Sequence, residues 1–326
     1  MLVSAAKNPP VHDRPRGAVW DVPRPNVGLR CPRCPVDLHS IDCSHCGLRL
    51  ETRGGIVLAL PPERIAHYAR FITDYECIRA AEGRASATEE FYCNLPYRDV
   101  TGKNSGQWRI RARTYDALVR DVLQRDVPPG GRILDLGAGN CWMSFRLALA
   151  GYTPCAVDLL TNPQDGLGAA MHYRGHLPEL FPRFQAELSH LPFQSGQFDA
   201  VIFNASFHYA EDPEAALCEA LRCASADGIV VISDTPWYRR DESGRQMVIE
   251  RRARFWAQYG SASDSLESLE YFTYERLQAL ADRAAIAWTV HTPHYGLRWK
   301  LRPLIARLQN RREPSQFRIY VARKTA

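Results

Sequence analysis

No part of the sequence is apolar over a length that could cross a bilayer. A membrane-spanning helix needs about 20 consecutive apolar residues, and none of the runs in these 326 residues approaches that length. The first 28 residues are rich in proline and charge and lack the apolar core of a secretion signal. We therefore expect a cytoplasmic protein with no membrane partner and with a flexible tail at residues 1–28.

A strong excess of charge of either sign is also missing. The 41 lysines and arginines against 36 acidic residues give a formal net charge of +5, which permits nucleic-acid binding without requiring it. Apolar residues make up 45% of the chain and charged residues 24%. These proportions are ordinary for a soluble globular protein and exclude a disordered or membrane one. The length suffices for one large domain or two smaller ones.

The ten cysteines lack the distribution of a small disulfide-bonded domain, because four are clustered and six are scattered. The clustered cysteines form two Cys-x-x-Cys pairs, Cys31 with Cys34 and Cys43 with Cys46. Four thiolates at this spacing are typical of a tetrahedral zinc site, with His39 and His45 as alternative ligands. A hairpin expected within residues 48–60 would complete a ribbon, whose folding would depend largely on the metal.

The two commonest glycine motifs of nucleotide sites are absent. No Gly-x-x-x-x-Gly-Lys-Ser/Thr sequence occurs, which argues against a nucleoside triphosphate. A dinucleotide site needs Gly-x-Gly-x-x-Gly, but Trp142 stands at the third glycine position. What is present is Asp135-x-Gly137-x-Gly139 after a short apolar strand, and a second such strand ending at Asp158. The pattern predicts a βαβ unit with a glycine turn and a carboxylate for ribose hydroxyls.

This pattern resembles the first motif of the class I S-adenosylmethionine (SAM) methyltransferases, in particular the methyltransferase type 11-like group. The resemblance implies that Asp135, Gly137 and Gly139 hold the amino-acid part of SAM and that Asp158 holds its ribose. Cys141 stands where the family often has a third glycine. The implied fold is α/β, a Rossmann-like seven-stranded class I methyltransferase sheet with a small N-terminal zinc ribbon.

A second signature, at residues 185–199, resembles the family's acid-x-x-x-Leu-Pro-Phe…Phe-Asp pattern. It implies that Glu187 accepts a hydrogen bond from the adenine amino group, where the family more often has Asp. Leu188 would contact the ring through its backbone. The expected organisation is a tail at 1–28, a zinc ribbon at 29–60, a helical or loop lid segment at 61–115 and a SAM-dependent methyltransferase domain at 116–326.

By the same resemblance, the long polar and aromatic stretch at 94–108 is a candidate cover for the cofactor. Tyr97, Arg98 and Trp108 are the candidate lid residues. Arg98 in particular can form a charge-assisted pair with the carboxylate of SAM. A solvated connector is the alternative interpretation.

Polar side chains also follow two later apolar strands, at the end where the crevice of an open α/β sheet lies. Asn204, His208 and Tyr209 follow the strand predicted at 199–203, and Asp234 follows the one at 228–232. His208 is the candidate general base, because an imidazole titrates near neutrality, and Asp234 is a second catalytic candidate. Asn204 is expected at the cofactor or the acceptor. Alternatively, His208 only packs beneath the methionine moiety.

The sequence leaves the methyl acceptor open. We expect methyl transfer to an O, N or C atom, most readily on a small molecule. RNA is the alternative, because residues 298–312 carry six cations and no acid, either as a solvated helix face or as a phosphate-binding patch. The Asn-Pro-Pro-Tyr tetrad of base methylation is missing, since residues 204–207 lack both prolines. A non-catalytic SAM-binding scaffold is the third interpretation, and the oligomeric state stays open.

Overall fold

The computed structural model describes residues 27–34, 36–260 and 265–323. The tail expected at 1–28 therefore lies outside the described residues, apart from its last two. None of the described helices combines the length and the apolar character needed to cross a membrane.

The described residues form eleven β-strands and nine α-helices. The strands are β1 (Leu29–Arg30), β2 (Asp37–Leu38), β3 (Glu51–Arg53), β4 (Ile56–Leu58), β5 (Arg132–Leu136), β6 (Thr153–Asp158), β7 (Arg183–Gln185), β8 (Phe198–Asn204), β9 (Ala224–Ser233), β10 (Trp288–His291) and β11 (Ile319–Arg323). The helices are α1 (Pro62–Ala81), α2 (Glu89–Asn94), α3 (Ser105–Leu118), α4 (Gln124–Asp126), α5 (Trp142–Leu149), α6 (Pro213–Cys223), α7 (Asp241–Tyr259), α8 (Tyr274–Ala284) and α9 (Leu297–Leu308). A π-helical turn, Val119–Leu123, joins α3 to α4.

Nine of these strands form one sheet in the order β10-β11-β9-β8-β5-β6-β7-β4-β3. The strands from β9 to β7 are mutually parallel, while β11 runs antiparallel to both of its neighbours. The first seven strands of this order confirm the expected seven-stranded sheet. The hairpin β3–β4 adds two more at the edge.

The central strands are apolar on both faces because helices cover the sheet on both sides. Leu134 and Leu136 of β5 pack on one side with Val201 and Phe203 of β8. Ile133 packs on the other side with its own set of buried residues. This alternation follows the two-residue period of a strand, and it places the carboxyl ends of β5, β6 and β8 side by side.

The hairpin after the four cysteines is anchored to the main sheet. Val57 of β4 lies opposite Phe184 of β7 in parallel register. The buried guanidinium of Arg183 donates to the carbonyls of Gly54 and Gly55 at 3.3 and 3.2 Å, and to that of Leu167 at 3.2 Å. The hairpin that follows the cysteines therefore shares backbone hydrogen bonds with the central sheet.

Candidate functional site

A cavity of about 390 Å³ lies at the carboxyl ends of β5, β6 and β8. Its volume falls within the range of small-molecule sites. All seven residues expected to contact the cofactor line it: Asp135, Gly137, Gly139, Asp158, Glu187, Leu188 and Asn204. They lie between positions 135 and 204 of the sequence. The parallel pairing of β5, β6, β7 and β8 brings them together at one edge of the sheet, as expected for an open α/β sheet.

The turn after β5 requires glycine. Gly137 has φ of 72° and Gly139 has φ of 53°, both in the left-handed region that other residues rarely adopt. A Cβ on Gly137 would also lie 2.2 Å from the Cβ of Ser206. Cys141, at the position where the family often has a third glycine, has φ of 61° and directly precedes α5. The cysteine therefore keeps the glycine-like backbone at this position.

Asp158 is held by the backbone on both of its oxygens. Its Oδ2 accepts from the amide of Gly139 and its Oδ1 accepts from that of Leu160, both at 2.8 Å. Burial nevertheless raises the pKa of Asp158 to about 6. Nearby, burial raises the pKa of Asp135 to about 7, although Ser144 donates to its Oδ2 at 2.7 Å. Two carboxylates thus lie on either side of the glycine turn.

Glu187 is already engaged by helix α1. Arg64 donates to its Oε2 at 2.6 Å through Nη2 and to its Oε1 at 3.0 Å through Nε, and the Tyr68 hydroxyl donates to Oε2 at 2.9 Å. His190 Nδ1 lies 3.1 Å from the carboxylate. A ligand amino group at Glu187 would therefore share this carboxylate with α1.

Helix α1 presents a face to the cavity that sequence reasoning missed. The side chains of this face recur every three or four residues: Arg64, Tyr68, Phe71, Tyr75 and Arg79. Ile65, next to Arg64, is exposed, so apolar residues alone do not mark this face. The recurrence of arginine and aromatic residues at helical spacing was the signal that could have identified the face.

Aromatic rings of α1 and the ring of Tyr209 together form one wall of the cavity. The ring centroids of Phe71 and Tyr75 lie 5.4 Å apart, and Tyr209 completes the group at 5.7 Å from Tyr75. Arg79 pairs with the buried Asp165 beside them, with Nη2 at 2.9 Å from Oδ1. The cavity therefore combines an apolar aromatic wall with fixed, paired charges.

Of the three lid candidates, only Trp108 lines the cavity. Tyr97 is exposed and donates to Asp116 at 2.8 Å, and the exposed Arg98 lies 3.8 Å from Glu90. Neither Tyr97 nor Arg98 lines the cavity, and α3 contributes Trp108 and Arg111 to it. A lid role for Tyr97 and Arg98 stays a prediction.

Arg111 of α3 lines the cavity in place of Arg98. Its guanidinium lies over the ring of Trp108, at 5.0 Å from the centroid. Burial lowers its pKa, and no carboxylate of the described residues forms an ion pair with it. A half-buried guanidinium that stacks on an aromatic ring and lacks an ion-pair partner among the described residues is suited to an anionic ligand group.

Neither His208 nor Asp234 is among the residues that line the cavity. Burial lowers the pKa of His208 to about 3, and Nδ1 lies 3.4 Å from the hydroxyl of Thr235. Asp234 has φ of 52° and accepts from Thr114 on Oδ1 at 2.7 Å, while its buried Oδ2 has no partner among the described residues. Burial raises the pKa of Asp234 to about 6.

The four clustered cysteines converge as expected. Their sulfur atoms all lie within 4.8 Å of one another, with Cys31 at 3.6 Å from Cys46 and Cys34 at 3.4 Å from Cys43. Each pair lies in a tight turn that a backbone hydrogen bond closes. The amide of Cys31 donates to the carbonyl of Val36, and that of Cys43 donates to the carbonyl of Leu48, both at 2.8 Å.

Replacing Asp234 with Asn should change how stability depends on pH. The folded-state pKa of about 6 exceeds the usual value near 3.8, so the folded protein binds more protons and wild-type stability falls as pH rises from about 4 through 6. Asn cannot ionise, so Asp234→Asn should gain roughly 2–3 kcal/mol relative to wild type between pH 4 and pH 8. Urea unfolding at both pH values measures this difference.

Asp121→Asn is the matched control. Arg120 holds the pKa of Asp121 below its usual range, so this variant should lose stability relative to wild type as pH rises. A pH-independent difference for Asp234→Asn would contradict the ionisation of a buried carboxyl at this position.

Comparison with known proteins identifies the segment that carries these residues. Residues 134–232 match a family model described as "Methyltransferase domain". The malonyl-[acyl-carrier protein] O-methyltransferase of Geobacter sulfurreducens is 29% identical over 122 residues, which are 37% of this chain and 44% of that protein. The demethylmenaquinone methyltransferase of Renibacterium salmoninarum is 29% identical over 141 residues, which are 43% of this chain and 54% of that protein. The chain spans about half the length of these curated relatives.

Among solved structures, the geranyl diphosphate C-methyltransferase of Streptomyces coelicolor aligns with 67% of this chain and 77% of its own, at 15% identity and a TM-score of 0.49. The segment matched by the family model runs from β5 to β9 and contains the glycine turn, Asp158 and Glu187. Residues 134–232 of this chain therefore form a domain of the methyltransferase family.

Proposed function

We propose that this chain transfers a methyl group from SAM to a small-molecule acceptor bound in the cavity. The observation that carries the proposal is the position of Asp158, whose carboxylate is fixed by the amides of Gly139 and Leu160 at the wall of the cavity. A carboxylate fixed in this way can accept vicinal hydroxyl groups with its remaining lone pairs. SAM carries such hydroxyls on its ribose.

The residues present fit SAM over most of its length. The turn of Gly137 and Gly139 with Asp135 would hold the amino-acid part, and Arg111 would pair with its carboxylate. Leu188 and Glu187 would contact the adenine, with Glu187 shared with Arg64. Asn204 lines the cavity next to them and accepts from Ser233 at 3.0 Å.

When bound, SAM supplies a sulfonium methyl group as the electrophile. The protein's contribution is to align the acceptor with that group and to exclude water. Phe71, Tyr75 and Tyr209 form an apolar wall that serves both purposes. A catalytic role for His208 and Asp234 stays a prediction, but the alignment mechanism does not require a proton acceptor. An imidazole with a pKa of about 3 is a weak base at neutral pH.

Two observations support a small molecule as the acceptor. The cavity is bounded by α1, α3 and the strand ends, and its volume of about 390 Å³ suits a compact ligand. The curated relatives are named for methylation of malonyl-[acyl-carrier protein] and demethylmenaquinone. Neither name concerns a nucleic acid.

We also propose a zinc ion bound by Cys31, Cys34, Cys43 and Cys46. Sulfur atoms at the corners of a tetrahedron with Zn–S bonds of 2.3 Å lie about 3.8 Å apart. The two measured separations of 3.6 and 3.4 Å are close to that value. The ion would fold the two cysteine turns together beside the hairpin β3–β4.

Asp158→Asn should weaken SAM binding by roughly 1–3 kcal/mol, because it removes a charged acceptor from the proposed ribose contact. Isothermal titration of the purified chain with SAM measures the change. Asp116→Asn, at an exposed aspartate bonded to Tyr97, is the matched control and should bind like wild type. Equal affinities of wild type and Asp158→Asn would remove Asp158 from the site.

Methyl transfer itself is tested with SAM labelled in its methyl group and a cell extract separated into small-molecule, protein and RNA fractions. Label should appear in the small-molecule fraction and should be strongly reduced with Asp158→Asn. Label in the RNA fraction would show that the acceptor is RNA and would contradict the proposed small-molecule acceptor. SAM binding with no labelled fraction would favour the scaffold interpretation over the enzyme.

The purified protein should contain about one zinc ion per chain, which Cys34→Ser with Cys43→Ser should remove. Because β4 is hydrogen-bonded into the central sheet, loss of the metal should also lower the melting temperature of the whole protein. Cys77→Ser with Cys218→Ser is the control, since both cysteines are exposed and lie outside the cluster. Full zinc content in the cluster variant would overturn the site.

A further inference from the structure

Helix α9 exposes a continuous row of large apolar side chains. Leu297, Leu301, Leu304 and Leu308 recur at intervals of four, three and four residues, which places them on one face of a helix. Their exposed fractions are 71%, 40%, 55% and 77%, and the neighbouring Ile305 is 46% exposed. None of the twelve residues of this helix is buried, so among the described residues nothing covers the row.

The opposite face of α9 is the one that contacts the protein. Trp299 packs against Tyr295 and Phe317, with ring centroids at 4.9 and 5.8 Å. The guanidinium of Arg302 lies over the Trp299 ring, 3.8 Å from its centroid. These contacts fix the rotation of the helix and therefore direct the leucine row outwards.

Cations flank the leucine row on both sides. At 3.6 residues per turn, Arg298 lies on one flank, and Lys300 and Arg307 lie on the other. No carboxylate of the described residues forms an ion pair with any of the three. Residues 298–312 contain no acidic residue, so the surface presents exposed leucines within an uncompensated positive field.

We propose that this face of α9 binds the surface of an anionic phospholipid bilayer, which replaces the expectation of no membrane partner. An amphipathic helix with a leucine face and basic flanks lies in the plane of the interface, with its apolar side chains among the acyl chains and its cations at the headgroups. Anionic headgroups attract each nearby lysine or arginine by about 1 kcal/mol. The exposed leucines and the unpaired cations are both accounted for by this one partner.

The two other partners fit only half of the surface. RNA would pair with the cations but would leave four leucines without a contact, since single-stranded nucleic acid is bound by aromatic stacking and charge. A second copy of α9 would cover the leucines but would bring two sets of cations together in a two-fold interface, which is repulsive. An anionic membrane complements both the leucines and the charge.

The test is co-sedimentation of the full chain with vesicles of phosphatidylcholine alone and of phosphatidylcholine mixed with phosphatidylglycerol. Wild type should bind the mixed vesicles, and raised salt should weaken the binding. Leu304→Ser with Leu308→Ser should weaken it about tenfold or more, because apolar burial is lost. Arg298→Gln with Lys300→Gln and Arg307→Gln should weaken it by about fivefold for each cation removed.

Matched controls lie elsewhere on the surface. Ile249→Ser on α7 changes an exposed aliphatic residue, and Arg239→Gln with Arg240→Gln removes two exposed cations; each should bind vesicles like wild type. All substituted side chains are exposed. Thermal unfolding of each variant is the check that it is folded. The assay does not involve SAM, so its outcome is independent of the proposed methyl transfer.

Three results would overturn the proposal. The first is equal binding of wild type to neutral and anionic vesicles or to neither. The second is undiminished binding by the leucine variant. The third is a change in the sedimentation mass of the leucine variant without vesicles, which would assign the row to contacts between copies of the chain.

Discussion

The candidate site depends on the carboxylate of Asp158, which links two backbone segments. Asp158 ends β6, and its two oxygens accept from the amides of Gly139 and Leu160. One of these amides belongs to the turn after β5 and the other begins the segment after β6. The side chain adds to the backbone pairing of β5 with β6 and to the bonds that the amides of Gly137 and Ala138 donate to the carbonyl of Val157. Together these bonds hold the glycine turn at the wall of the cavity.

Charge is distributed unevenly around the cavity. Glu187 and Asp165 are buried carboxylates that α1 neutralises through Arg64 and Arg79, as buried ions require. Among the described residues, no cation forms an ion pair with Asp135 or Asp158, and burial raises the pKa of both. The unpaired carboxylates lie at the glycine turn, whereas the paired ones lie under α1. The carboxylates that remain available to a polar ligand therefore lie at the glycine turn.

Helix α1 connects the cysteine segment with the site. The hairpin β3–β4 adds to the edge of the central sheet, and α1 follows it after a short connection. Arg33, between the first two cysteines, also pairs with Glu63 in the first turn of α1, at 2.7 Å. The cysteine segment and the helix that covers the cavity are therefore neighbours in both sequence and space. No cysteine of the cluster is among the described residues that line the cavity.

The sequence by itself determined the parts of the site whose geometry is local. Gly137 and Gly139 were predictable because only a glycine turn fits between an apolar strand and a helix that starts at Trp142, and Asp158 because it ends the next strand. The cysteine cluster was predictable because ligand spacing within each pair is local. Neither pattern depends on how distant elements pack.

Tertiary packing alone decided which side chains meet. Glu187 is bonded by Arg64, which lies 123 residues earlier, and no local pattern specifies that pair. Apolar residues occur on several faces of α1, so periodicity could not select the face that covers the cavity. Arg111 lines the cavity because the rotation of α3 turns it inwards, whereas Arg98 precedes this helix and is exposed. The same physical reason applies to each: the direction of a side chain on a helix is fixed by the rotation of that helix, which only its packing determines.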